Sequence, residues 1–160
     1  MKIFNWIDRN LWSIPAGVFL MIELGFSLWS AISPKPVLLA ALSPAARQTV
    51  YSSLAGTASA FFGVALTVVA ILVAFPKLMA TSVEQELVRA RTIVIGSLLM
   101  SSSFMLVAVC STSTALAVDT RSVGNYAITT LIEASCIASV TGLLVGGIGL
   151  AYIIVERSQQ

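Results

Sequence analysis

The chain contains no histidine. That absence removes the imidazole ligands of b-type haem and of the common zinc and copper sites, and it removes the side chain that does most acid–base catalysis near neutral pH. Charge is also scarce. Nine lysines and arginines and seven aspartates and glutamates make up 10% of 160 residues, where a soluble domain carries roughly 25%. The two cysteines, Cys110 and Cys136, form no CxxC pair, which argues against a thiol oxidoreductase. Both fall inside apolar stretches, so they are expected as free thiols serving as small core residues. From these absences no enzyme activity, cofactor, metal site or nucleic-acid partner is expected.

What the chain does have is long apolar runs. Hydrophobic residues make up 58% of it, and the mean hydropathy is +0.96. Four stretches, 11–32, 48–75, 92–117 and 126–155, reach the length of about 20 mostly uncharged residues that a spanning helix needs. The fold class expected is all-α: a polytopic integral membrane protein, one four-transmembrane-helix bundle occupying residues 1–160 and surrounded by the lipid bilayer. The connections 33–47 and 76–91 are too short for a soluble domain with its own core. The first stretch is longer than a signal-peptide core of about 7–15 residues, contains Glu23 and is followed by Pro34. It reads as a retained helix.

Local signals place the helix ends. Ser43-Pro44 is an N-cap followed by proline at the first helical position, so the second helix is expected to begin near residue 44 with Arg47 at the membrane edge. Thr81 and Glu84 have capping-box spacing, and Glu86 and Arg89 share a face three residues apart. Asn125 is a cap for the fourth helix. The short piece VLLAALS between Pro36 and Pro44 is expected to lie along the interface, and the first helix to turn in at Pro15.

Charge asymmetry orients the chain. With both termini cytoplasmic, Lys2, Arg9, Lys77, Arg89, Arg91 and Arg157 lie inside and Lys35, Arg47 and Arg121 outside, as the positive-inside rule favours. Trp6, Trp12 and Tyr152 then mark the inner interface, and Trp29, Tyr51 and Tyr126 the outer one.

Helices in lipid gain little from apolar contact with one another, so small residues are the informative packing signal. The fourth helix has Ala138, Gly142 and Gly146 in one stripe, with Ser135 and Gly149 close by. The second has Gly56 and Ala60, with Gly63 nearby. Both stripes are read as packing within one chain or between subunits. On the third helix Ser97, Ser101, Ala108, Ser111 and Ala115 form a seam of small and hydroxyl side chains. It could line a water-filled path, or its hydroxyls could bond their own backbone.

Two carboxylates fall within the apolar runs, Glu23 in the first and Glu133 in the fourth. Counted from the outer edge they lie about nine and about seven residues deep, within roughly 3 Å of each other at 1.5 Å per residue. A shared polar layer is the expectation. Charge at that depth costs at least about 2.5–3.5 kcal/mol, so both should face the bundle, a cavity or a partner. No lysine or arginine lies at matching depth, which leaves protonated carboxyls bonded to serines and threonines, a ring of carboxylates in an oligomer, or pairing with a basic residue of another protein. Two carboxyls in one layer resist joint ionisation, and at least one is expected to be protonated at neutral pH. Glu133 points roughly 140–180° away from the Ala138–Gly142–Gly146 stripe, so either two faces of the fourth helix need a neighbour or Glu133 lies close enough to the outer interface to reach headgroups or water.

The stretch MIELGF, with its glutamate in the first of four helices, resembles the small multidrug transporters, which implies proton-coupled exchange of a cationic substrate at Glu23. The resemblance covers that one residue. The run YSSLAGTASAFFGVALTVVAILVAF is similar to the second-helix region of many bacterial membrane proteins, some of them small defence-associated effectors, and the expected location is the bacterial inner (plasma) membrane. The functional expectation is an oligomeric channel or pore whose cation path follows Glu23, Glu133, Ser97, Ser101 and Ser111, with a cytoplasmic rim of Glu84, Glu86, Arg89 and Arg91. The alternative is a non-catalytic accessory or assembly subunit of a larger membrane complex. A proton-coupled transporter is third. The partner surface is accordingly another copy of the chain or a larger complex.

Overall fold

Pro15 sits in the first turn of the first long helix, where a missing N–H leaves no intrahelical bond unmade. The structure, a computed structural model, describes residues 10–33, 38–74, 82–120 and 123–158, the side chains of 82–87, 89, 152–154 and 156–158 excepted. A 3-10 turn, Leu11–Ser13, leads into α1, Ile14–Ile32. A second 3-10 turn, Leu38–Ala41, precedes α2, Pro44–Ala74; α3 spans Ser82–Val118 and α4 Tyr126–Ser158. Among the described residues there is no strand, and all four helices are long and apolar enough to cross a membrane.

The helix ends agree with the polar signals around them. Ser43 Oγ accepts a bond from the Ala46 N–H at 3.4 Å, and Asn125 Oδ1 accepts one from the Ile128 N–H at 3.5 Å. α3 begins ahead of its apolar portion, which starts at Ala90. Thr81, proposed as its cap, lies outside the described residues, as do Trp6 and the side chain of Tyr152. At the opposite end of α2, Arg91 of α3 donates to the carbonyl of Leu72 and, at 3.3 Å, to that of Val73. These are last-turn carbonyls that have no partner within their own helix.

Packing follows an open row more than a closed bundle. α3 and α4 form the central pair, α2 packs on α3, and α1 packs mainly on α4. Glycine explains why α3 and α4 approach so closely. A Cβ added at Gly142 would come within 2.8 Å of Ser101 Cβ, and one at Gly146 or Gly149 would meet Leu98 at 2.9 Å or Val94 at 2.6 Å. The α4 stripe therefore packs inside the chain, with Ala138 fully buried beside it. Val69, Val94 and Leu98 make one apolar cluster, and Tyr51, Ala115 and Ile132 another.

The α2 stripe does not pack within the chain, the first of its two expected uses. Cβ atoms added at Gly56 and Gly63 meet nothing within 4 Å, and Ala60 is exposed. α2 instead buries Arg47, Tyr51, Ala65 and Val69, with Leu54 and Leu72 half-buried on the same side. The reason is polar. Arg47 and Tyr51 both reach Asp119 beyond the end of α3, and that attachment fixes the rotation of α2 and turns its small residues outward.

Candidate functional site

Three carboxylates define the polar chemistry of the described chain: Asp119, Glu133 and Glu23. Asp119 follows α3 directly and is 2% exposed, while Arg47 is fully buried. Asp119 Oδ2 accepts from Arg47 Nε at 3.1 Å and from the Tyr51 hydroxyl at 2.8 Å. Its Oδ1 accepts from Arg47 Nη2 at 3.4 Å and from the Asn125 N–H at 3.2 Å. Arg47 Nη1 donates to the Leu42 carbonyl at 2.5 Å. A buried ion pair offsets its desolvation only when geometry is good and the remaining polar positions are filled, and here a two-pronged guanidinium and two further donors fill them. The clasp joins the start of α2, the end of α3 and the segment leading into α4. Gly124 makes room for it: an added Cβ would lie 3.1 Å from Arg47 Nε and 3.0 Å from Ala40 Cα.

Neither Arg47–Asp119 nor the role of Tyr51 was anticipated. Tyr51 is fully buried and bonded to Asp119, so it is not an interfacial anchor. The usable signal was an arginine and a tyrosine four residues apart at the start of one apolar run, with an aspartate just after the next. In antiparallel neighbours those positions meet at one end.

Glu133 holds the connection between α1 and α2. Its Oε1 accepts the Leu39 N–H at 2.8 Å, pinning the Leu38–Ala41 turn, whose first residue has φ +50°. That left-handed geometry is uncommon for a bulky side chain and needs support from its surroundings. A second tie is the Gly124 N–H donating to the Ala40 carbonyl at 3.2 Å. Glu133 lies on the wall of a largely apolar groove of about 430 Å³ with Leu39, Leu42, Leu54 and Ile137.

Glu23 occupies a different groove. It shares about 590 Å³ with Phe19, Ser27 and Ser30 of α1 and with Tyr126, Thr130 and Leu131 of α4. Its Oε1 is buried and has no hydrogen-bond partner among the described residues. Ser30 Oγ donates to the Ser27 carbonyl at 3.0 Å, and Tyr126 Oη to the Phe26 carbonyl at 3.2 Å, both away from the carboxylate. The two glutamates thus open onto separate grooves, and neither forms an ion pair among the described residues.

The α3 hydroxyls divide between the contact with α4 and the helix's own backbone. Ser97 and Ser101 are fully buried between α3 and α4. Ser101 Oγ donates to the Ser139 carbonyl at 2.6 Å, whereas Ser97 Oγ has no partner. Ser102, Ser103, Thr112, Ser113 and Thr114 bond carbonyls one turn back on their own helix. Ser111 is half-buried. Cys136 is half-buried and Cys110 exposed on the outer face of α3, both free, so Cys110 is not the core residue expected. Of the proposed rim, the side chains of Glu84, Glu86 and Arg89 lie outside the described ones, and Arg91 caps α2. No group of three or more metal-ligating side chains occurs among the described residues.

In comparisons with known proteins, the chain matches no family model, no curated protein and no solved structure.

Proposed function

We propose that the chain is an integral protein of the bacterial inner (plasma) membrane, with both termini cytoplasmic, that serves as a non-catalytic accessory or assembly subunit of a larger membrane complex. The observation that carries this reading is Glu23. It is the tenth of the nineteen residues of α1, a helix whose one buried residue is Pro15, and its buried oxygen finds no donor among the described residues. Inserting a carboxylate at mid-helix costs at least about 2.5–3.5 kcal/mol, and such residues ordinarily face a cavity or a partner. A group outside the described chain is the natural source of the missing bond. The distribution of lysine and arginine supports the orientation.

A second reading, an oligomeric cation pore, is favoured by one feature: Glu23, Ser27, Ser30 and Thr130 line a single groove. If subunits meet along α1, that groove faces an axis and supplies a ring of carboxylates and hydroxyls. Proton-coupled transport at Glu23 is the third reading, and it shares the same residue.

Ion flux from liposomes holding the purified protein, wild type beside Glu23→Gln, separates these readings. No flux from well-inserted protein supports the accessory role. Flux that the substitution changes overturns it in favour of a pore.

A further inference from the structure

The Glu23 groove has a wall on α1 and a wall on α4, and among the described residues no third element lines it. What could close it is constrained by charge. Arg47 is bound to Asp119 and Leu42, and Arg91 to the end of α2. Every other lysine and arginine of the sequence lies outside the four apolar windows. Glu23 is nine residues from either end of α1, about 13.5 Å of helix, which exceeds the reach of a side chain anchored at the membrane edge. A second copy of this chain therefore brings no cation to that level.

We propose that the groove receives a transmembrane helix of a different polypeptide, which carries a lysine or arginine at mid-membrane depth and pairs it with Glu23. The inference rests on the accessory-subunit reading and names the chemistry of its partner. The incoming cation supplies the hydrogen bond that Oε1 lacks, and Ser27, Ser30 and Thr130 offer hydroxyls to its remaining donors. An ion pair formed in lipid leaves neither charge uncompensated. Aliphatic residues flanking the cation would pack on Phe19 and Leu131.

The test uses a synthetic spanning peptide of leucine and alanine with one central lysine, and sister peptides with leucine or glutamate at that place. Association with the full-length protein is read by energy transfer in phosphatidylcholine vesicles. The expected result is that the lysine peptide binds about tenfold more tightly than the leucine peptide, the scale of a good polar pair between membrane helices. Glu23→Gln should remove that preference, whereas Glu133→Gln should keep it. Thr130→Leu, which fills the groove without touching the carboxylate, should weaken the lysine peptide as well. Equal binding of the lysine and leucine peptides overturns the proposal, and so does a preference that survives Glu23→Gln. Tightest binding of the glutamate peptide also overturns it, because a carboxyl pair is what a second copy would provide. Liposome flux is read separately: Glu23-dependent conduction with a retained lysine preference removes the accessory role and leaves the groove chemistry standing. Silence in both assays removes the groove chemistry alone.

Discussion

Asp119 and Glu23 are both shielded carboxylates in a chain with little charge, and they differ in what surrounds them. Asp119 has donors on both oxygens, drawn from α2 and from the segment before α4. Glu23 has a buried oxygen with none. The first is held at a junction of several segments, the second on the helix least covered by the rest of the chain. The contrast separates a carboxylate whose bonds join three segments from one that, on the proposed reading, serves a group outside the chain. If the helices span a membrane, where water cannot complete a hydrogen bond, that separation is sharp.

The largest effect should come from breaking the clasp. Asp119→Ala leaves the Arg47 guanidinium buried without its counter-ion, and reversible unfolding in mixed micelles should show a loss of about 3–5 kcal/mol. A double mutant with Arg47→Ala should recover part of it, and a strictly additive pair would break the clasp interpretation. Next comes the close approach of α3 and α4. Gly142→Ala drives a methyl to 2.8 Å from Ser101 Cβ and 3.1 Å from Pro15 Cγ, costing about 1–3 kcal/mol. Gly56→Ala, which meets open space, should stay within about 0.5 kcal/mol of wild type.

Two further substitutions, both milder than breaking the clasp, sharpen the same comparison. Tyr51→Phe removes one of the donors to Asp119 and should cost about 1–2 kcal/mol in the same unfolding assay. Glu133→Gln keeps an acceptor for the Leu39 N–H, so its cost should be under about 1 kcal/mol. A much larger loss would place Glu133 with Asp119 among the groups that hold the chain together.

Much of this architecture was legible in the sequence. The four apolar runs became α1 to α4 because length and hydropathy alone decide which segments can bury all their backbone groups internally. The Ala138–Gly142–Gly146 stripe was also readable, since close helix approach demands small side chains wherever it occurs. The equivalent pattern on α2 does not pack within the chain, because small residues permit contact without requiring it, and the Arg47 and Tyr51 bonds to Asp119 turn that face outward. The clasp itself was missed because it depends on three segments meeting in space. The depth comparison placed Glu23 and Glu133 near one level but carried no information about direction, and the two open onto different grooves. The α3 hydroxyl seam admitted two readings; Ser101 bonds the neighbouring helix, and Ser97 is buried beside it.

The most direct test of the central claim is the unfolding free energy of Glu23→Leu in the isolated protein. If Glu23 serves a group outside the chain, replacing it with an apolar residue should leave stability unchanged or raise it, since an intramembrane carboxylate without a partner is lost. A destabilisation on the scale of Asp119→Ala would contradict the account and return Glu23 to the set of residues that hold the helices together.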